Sequence, residues 1–447
     1  MFNLIVAQDS KNGIAKNGRL PFKCTNDMRH FKETTSGSVV IMGRKTWDSI
    51  PKKPLPGRIN VVFTKSESGL AAHEVGTLEK LYKLLEKYPE KEKFVIGGRQ
   101  IYELFLQRNL IKRIYITTVH EDYDADLTFP YWRKNEWRKV EEKTLSLFPL
   151  AILEIYERVN WEEVYFLQTL NLILEKGIKR EDRTGTGTLS IFGNQFRFSL
   201  DEGRFPLMTH RRITLRMVFE ELKWMIRGQT DAKILSDKKV PVWNDNTTSE
   251  FLRKRGVPWV EGDIGPAYGF QLRHYGAEYF GCNHDYTGKG FDQLTYVINL
   301  LKTNPDSRRI MFTFWNPPDL HKMALPPCAF NYQFYVSNGY LSCRLTQRSS
   351  DISLAGGWNI ATASLLTYML AKVCNLRPYE VIWSTGDTHI YLNQVNAVKE
   401  MIGRKPRPFP TMHLNYPEDN DIEKFEWSDV ILNDYLPHKK IKVAMNA

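Results

Sequence analysis

The stretch MALPPCAFNYQFYV, residues 323–336, sets Cys328 behind two prolines and ahead of an alternating apolar run. Rigid backbone at a strand start aims a thiol, which suits a nucleophile. A cysteine taken alone is more often a small buried apolar group, so its company decides. CRLTQRSSD, residues 343–351, ends a second strand with Arg348, Ser349 and Asp351, and NIATASLLTYML opens a helix with Asn359. TGDTHIYLNQ adds Asp387, His389 and Tyr391, while DSRRI adds the adjacent Arg308 and Arg309. A nucleophilic sulfur, arginines suited to a phosphate and polar groups able to read a small base make one coherent set.

The 447 residues, 42% apolar and 25% charged, suffice for two or three globular domains. Five cysteines without a C-x-x-C spacing indicate neither a metal site nor a disulfide framework, so a reducing compartment is expected. The chain opens on the strand-like FNLIVAQ and holds no apolar run of about 18 residues. We therefore expect a cytoplasmic protein with no membrane contact. A net charge of +11 raises the question of a nucleic-acid partner. The basic residues are dispersed, however, and anionic small substrates explain them as well; nucleic acid is not the expected partner. A basic RNA-binding or scaffolding protein is the alternative from another class, distinguished by salt-dependent affinity without turnover.

Short β-branched runs dominate the first part of the chain: FNLIVAQ, SVVIMG, INVVFT, KFVIGG, RIYITTV and LAILEIYERV. Between them TLEKLYKLLEKY places Leu78, Leu81, Leu85 and Tyr88 on one helical face, which implies an α/β sheet with flanking helices. GRKTWDSI follows VVIM and GGRQIYELF follows KFVI, each presenting backbone N–H groups at a helix start where a phosphate is favoured. There is no G-x-G-x-x-G, which argues against an ordinary Rossmann fingerprint.

The ordered set NGIAKNGRLPFKCTNDMRHFKETT, IMGRKTWDSIP, PLPGRINVVFT, VIGGRQIY, IYITTV and DADLTFP resembles dihydrofolate reductase across residues 1–159. The resemblance implies a mixed sheet with flanking helices and, as ligands, NADPH and dihydrofolate. It makes Asp27 the carboxylate that holds the amidine-like edge of the pterin and favours protonation of the neighbouring imine; read alone, Asp27 is a helix N-cap. Phe31 and Ile50 would flank the ring system, Thr117 would bridge Asp27 and the pterin amino group, and Arg58 would pair with the glutamate carboxylate. Ala7 and Ile14 would touch the nicotinamide, and Gly97, Gly98 and Tyr102 would border the cofactor. Arg44, Lys45 and Thr46 would lie near its pyrophosphate, with Lys65 and Arg44 favouring NADPH over NADH. Where the family usually reads L-P-W, this chain has Leu20, Pro21 and Phe22, so an indole N–H is lost.

ERVN leads without a Gly, Ser or Pro-rich linker into WEEVYFLQTLNLILEKG, whose Val164, Leu167, Leu170, Ile173 and Leu174 form an apolar face ending at Gly177. From residue 160 to 447 the chain, with Cys328 at its centre, resembles thymidylate synthase, giving α/β and α+β parts in one chain. The resemblance implies an obligate homodimer through this part, dUMP bound by Arg183, Arg348 and Ser349, and Arg308 and Arg309 reaching the partner's nucleotide. The bland reading of each arginine is a surface ion pair.

Asn359 would read the uracil edge, His389 and Tyr391 the ribose, and Asp351, counted with the dUMP-binding residues, would also contact the folate pterin. Glu221, inside the helix TLRMVFEELKWMIRG, would order water for proton transfers, and Trp243 and Asn246 would line the folate site. Cys328, with a pKa lowered by Arg348, would attack C6 of dUMP. Tyr268 or ordered water would then remove the C5 proton, and 5,10-methylenetetrahydrofolate would supply the one-carbon unit. Three departures stand out: Ala329 where the family almost always has His, DISLAGGWN in place of D-x-x-L-G-x-P-F-N, and Lys223 where leucine is common, read as a surface lysine on its helix. A chain in which only the reductase works is the rival enzyme reading.

Overall fold

The computed structural model describes residues 2–65, 69–108, 110–132, 134–415 and 421–446. By contacts the chain divides into two units, Met1–Val159 and Asn160–Ala447.

The first unit takes its strands in the order β1 (Phe2–Gln8), β2 (Gly13–Ala15), β3 (Val39–Gly43), β4 (Ile59–Phe63) and β5 (His73–Val75). They continue as β6 (Lys93–Gly97), β7 (Ile111–Val119), β8 (Leu127–Thr128), β9 (Trp137–Leu147) and β10 (Leu150–Arg158). Its helices are α1 (Thr25–Thr35), α2 (Arg44–Ser49), α3 (Leu78–Leu85) and α4 (Arg99–Gln107). Among the described residues one sheet of eight strands runs β5-β4-β3-β6-β1-β7-β10-β9. The pairings from β5 to β7 are parallel and the last two antiparallel. Val39, Val40, Ile41 and Met42 in β3 are fully buried, as a central parallel strand covered on both faces requires. The edge strand β9 is the reverse, exposed along most of WRKVEEKTLSL. With solvent on both faces it carries no apolar alternation, which is why its sequence does not announce it.

The second unit starts with α5 (Trp161–Lys176), capped by the Asn160 side chain, which accepts from Glu163 N. Phe166, Leu167, Leu170 and Ile173 are buried, while Val164 is only half-buried. After β11 (Ile178–Arg180) and β12 (Thr188–Ser199) come α6 (Leu215–Ile226), α7 (Lys233–Asp237), α8 (Ser249–Arg255), α9 (Gly269–Arg273) and α10 (Gln293–Thr303). Then follow β13 (Met311–Thr313), β14 (Ala329–Ser337), β15 (Tyr340–Asp351), α11 (Gly357–Val373) and β16 (Arg377–Tyr391). The chain closes with α12 (Val395–Ile402), β17 (Thr411–Leu414) and β18 (Val430–Asn433). Six strands form the sheet β11-β12-β16-β15-β14-β13 among the described residues, with β15 and β16 parallel. Helix α11 is buried on nearly every side, as expected of a central helix with apolar residues all round.

One detail departs from the sequence reading. Lys223 is not a surface residue: it is 2% exposed, and its ammonium donates to Phe425 O and, at 2.7 Å, to Glu426 Oε1. The lysine therefore ties α6 to the segment before β18. Glu163, at the first turn of α5, is fully buried and accepts from Thr209 N at 2.6 Å, Thr209 Oγ1 at 2.7 Å, His210 N at 2.7 Å and Asn160 Nδ2 at 3.1 Å. His210 Nδ1 lies 2.8 Å from the same carboxylate, and burial lowers the imidazole pKa against that hydrogen bond. Removing the acceptor strands these buried donors. Glu163→Ala is expected to destabilise the second unit by about 3–5 kcal/mol, read as a lower denaturant midpoint for its unfolding, with the first unit's transition unmoved.

Candidate active site

In the first unit, the opening turn of α1 carries Asp27 into the interior. Burial pushes its carboxyl above the ordinary range, opposed by a hydrogen bond from Thr117 and by the charge of His30. Thr117 lies on β7 in register with Ala7 of β1. Phe31, one helical turn beyond Asp27, packs in one cluster with Ile50, and the Arg58 guanidinium sits 5.5 Å from the Phe31 ring. Arg58 Nε and Nη1 are buried without a hydrogen-bond partner among the described residues. Two unmet cationic donors beside an apolar wall ask for a carboxylate.

Gly97 adopts φ +127°, open to glycine and strained for other residues. A Cβ on Gly97 would lie 3.3 Å from Tyr102 Oη and 3.5 Å from Thr46 Oγ1, and one on Gly98 only 3.1 Å from Thr46 Oγ1. The bare glycine backbone thus packs directly against Thr46 and Tyr102. Tyr102 donates to Ile5 O at 2.8 Å, and its phenol feels Asp27 electrostatically. Ile14 is buried in the main core of the unit. Arg44 is held by Asp48 at 3.0 Å, whereas Lys45 and Lys65 are exposed and join none of these contacts. Phe22 is buried with Cys24, Val119 and Ala151, its ring 5.5 Å from that of Tyr123, so the ring-sized volume is filled without the indole N–H.

In the second unit, Arg348 organises the cysteine turn. Its Nε donates to Pro327 O at 3.0 Å and its Nη2 to Pro326 O at 2.9 Å, leaving Nη2 3.8 Å from Cys328 Sγ. The parallel register of β15 and β16 sets Ser349 beside Asp387 and Asp351 beside His389. Asp387 holds His389 Nδ1 at 3.0 Å and Arg180 at 3.0 Å, and the Tyr391 ring lies edge-on to His389. Tyr391 feels Asp182, Asp351, Arg183 and Cys328, so these groups share one neighbourhood. Asn359, in the first turn of α11, donates to Gln347 Oε1 at 3.4 Å. Asp351 is engaged by its own surroundings, accepting from Leu354 N, Ser353 Oγ and Gln394 Nε2. Arg308 and Arg309 are exposed just before β13 and do not act on Cys328, whose arginine neighbours are Arg348 and Arg183.

Two expectations are corrected. Cys328 keeps accessible surface but is ringed by protein atoms, and this desolvation raises its pKa, outweighing the opposing charges of Arg348 and Arg183. The lowered pKa expected from Arg348 alone omitted that cost. Tyr268, at the strained φ of +37°, accepts from Cys328 N at 3.2 Å, and burial with the nearby Cys328 and Glu221 raises its pKa far above neutrality. It is a neutral phenol, able to donate or accept, and not a base.

Glu221 is buried with no cation acting on it among the described residues, and desolvation raises its pKa against two hydrogen bonds. Trp243 Nε1 donates to Oε1 at 3.0 Å and Trp358 Nε1 to Oε2 at 2.6 Å. Trp243 also meets Tyr268 edge-on at 5.5 Å. Asn246 is buried with its Nδ2 unpaired among the described residues. The contact of Trp358 with Glu221 escaped the sequence reading, which saw only a segment departing from the family pattern; 137 residues separate the two, and the sequence carried no signal of their meeting.

The thymidylate synthase family model matches residues 164–447 and the dihydrofolate reductase family model residues 1–147. The bifunctional dihydrofolate reductase-thymidylate synthase of Zea mays is 41% identical, covering 99% of this chain and 96% of that protein. The protein of the same description from Paramecium tetraurelia is 39% identical over 99% of this chain and 98% of its own. That of Leishmania amazonensis is 38% identical over 99% and 95%.

Burial raises the Cys328 pKa while Arg348 lowers it, so removing the cation moves it further up. Arg348→Gln is expected to shift the pH midpoint of iodoacetamide alkylation at Cys328 upward and to slow alkylation at neutral pH roughly five- to tenfold. A midpoint that stayed in place would show that Arg348 does not set the thiol's charge.

Proposed function

The chain belongs to the family of bifunctional dihydrofolate reductase-thymidylate synthases, and on that premise we propose that each unit carries one of two consecutive reactions. The second methylates dUMP to dTMP with 5,10-methylenetetrahydrofolate. The first reduces the resulting dihydrofolate to tetrahydrofolate. The observation that carries the synthase half is the accessible Cys328 thiol, with Arg348 Nη2 3.8 Å from its sulfur and Tyr268 on its amide.

Cys328, drawing on the thiolate fraction that Arg348 and Arg183 sustain against burial, bonds to C6 of dUMP, and the C5–C6 electron pair becomes nucleophilic at C5. C5 bonds to the one-carbon unit as one of that carbon's two bonds to folate nitrogen opens, then loses its proton to water held near Glu221, with Tyr268 as a neutral hydrogen-bonding partner. The remaining bond from the transferred carbon to the folate nitrogen then breaks with its electron pair on nitrogen. Hydride from the folate's reduced ring reaches the resulting methylene carbon, and the Sγ–C6 bond breaks as the C5–C6 double bond re-forms, which leaves dTMP, the free thiolate and dihydrofolate. Arg183, Arg348 and Ser349 hold the nucleotide phosphate, Asn359 the uracil edge, and His389 and Tyr391 the ribose. Asp351, Trp243 and Asn246 face the folate, and the unpaired Asn246 Nδ2 supports that role.

In the first unit Asp27 and Thr117 hold the pterin, Phe31 and Ile50 flank it, and the unmet donors of Arg58 take the glutamate carboxylate. NADPH, when bound, supplies the hydride, bordered by Ala7, Ile14, Gly97, Gly98 and Tyr102, with Arg44, Lys45, Thr46 and Lys65 toward its phosphates. A homodimer through the second unit belongs to the same reading. Its sheet leaves Phe192 and Tyr335 85% and 67% exposed, and Arg308 and Arg309 are exposed just before β13. A reducing cytoplasm suits a free nucleophilic thiol.

Tritium release from C5-labelled dUMP with methylenetetrahydrofolate, without NADPH, tests the synthase: native protein releases tritium and Cys328→Ser does not. No release from a folded native chain that still reduces dihydrofolate would leave the reductase alone. For the reductase, the Thr117 hydroxyl lowers an Asp27 pKa that burial raises. Thr117→Val therefore raises it further, and the pH dependence of dihydrofolate reduction should move upward with it. Asp27→Asn should lower the rate at neutral pH on the order of a hundredfold.

A further inference from the structure

The segment that departs from the family pattern, residues 355–358, is where the chain reaches Glu221. A Cβ on Gly357 would lie 2.6 Å from Ile213 Cδ1 and 3.0 Å from Met208 Cγ, and one on Gly356 would lie 3.1 Å from Phe166 and 3.2 Å from Trp383. Two glycines in a row let the start of α11 press into these side chains. The next residue, Trp358, half-buried in the first turn of α11, then delivers its indole to Glu221 Oε2 at 2.6 Å. Its backbone carbonyl is fixed in turn by Thr362 Oγ1 at 3.0 Å.

A buried carboxylate without a cation keeps its charge only through hydrogen bonds. Here each oxygen has one indole donor, Trp243 on Oε1 and Trp358 on Oε2. The phenols of Tyr268 and Tyr332 also lie within electrostatic reach of Glu221, and both are neutral because burial raises their pKa. Cys328 stands beyond Tyr268. The position after Cys328, where the family's imidazole would add a polar group, is the buried Ala329. The indoles are thus the donors that hold this acid.

We propose that Trp358 is a positioning residue for proton transfer at the pyrimidine: its N–H fixes the orientation of Glu221 and holds it as the carboxylate. This rests on the reading of Glu221 as the group that orders water for those transfers. Trp358 touches neither substrate nor the reacting atoms in this account; it acts through Glu221.

The test is Trp358→Phe in the full chain, which keeps a ring and removes the N–H, beside Glu221→Gln and native protein. Synthase kcat and the dUMP KM are measured from acid to alkaline pH, with dihydrofolate reduction as the check of the first unit. With one donor fewer, Glu221 holds its proton more tightly, so the acid limb of kcat moves to higher pH. The expected result is that shift, a fall in kcat of about tenfold at neutral pH and a dUMP KM within about twofold of native. Trp358→His, which restores a ring N–H, should recover part of the loss. A native kcat and an unmoved acid limb in Trp358→Phe, with Glu221→Gln inactive, would overturn this proposal alone. Native turnover in Glu221→Gln would overturn it together with the reading of Glu221. A second measurement needs no variant at position 358: in the indole ¹⁵N–¹H spectrum Glu221→Gln should move two signals, Trp243 and Trp358, and movement of the Trp243 signal alone would overturn the proposal.

Discussion

Arg348 holds the second unit's chemistry together. Pro326 and Pro327 have no N–H to join a ladder, and their carbonyls point where no strand partner exists. The Arg348 guanidinium takes both, at 2.9 and 3.0 Å, while its own backbone N–H donates to Cys328 O at 3.0 Å. One side chain and one backbone bond therefore tie the turn to the end of β15 beside the sulfur. The parallel pairing of β15 with β16 then sets Ser349 beside Asp387 and Asp351 beside His389, and Tyr391 shares its neighbourhood with Cys328. The cation lowering the thiol's pKa is thus the same group that holds the turn.

The two halves solve the same electrostatic problem with different means. Asp27 and Glu221 are both buried acids whose pKa values burial raises. Asp27 is moderated by the Thr117 hydroxyl and the His30 charge, and Glu221 by two indoles. Neither has a lysine or arginine as direct partner among the described residues. An acid tuned without a lysine or arginine ion pair stays responsive to the proton state of a bound heterocycle, which a firm ion pair would suppress. The reactions are chemically joined as well, since the dihydrofolate left by methyl transfer is the compound the reductase consumes.

The parts of this structure legible in the sequence are those where burial leaves a period. The doubly covered strands β1, β3 and β6 read as short β-branched runs, and the apolar face of α3 as Leu78, Leu81 and Leu85. Strand β9 did not show because it is an exposed edge. Lys223 read as a surface residue because sequence shows a charge but not the Phe425 carbonyl and Glu426 that receive it. The pKa direction of Cys328 failed for a related reason: Arg348 is visible as a neighbour, while exclusion of water around the sulfur is a property of the packed fold. Trp358 carries the same lesson, for the close approach that aims its indole depends on Gly356 and Gly357 meeting Phe166, Trp383, Met208 and Ile213.

The central claim is that Cys328 is the nucleophile of a working synthase site. Incubation with 5-fluoro-dUMP and methylenetetrahydrofolate tests it directly, because fluorine at C5 blocks the proton loss and stalls the reaction after both bonds have formed. Mass spectrometry of the digested protein should find nucleotide and folate together on the peptide containing Cys328, and no such adduct in Cys328→Ser. A folded protein that formed no adduct, or formed it at Cys282, Cys343 or Cys374 instead, would contradict the account.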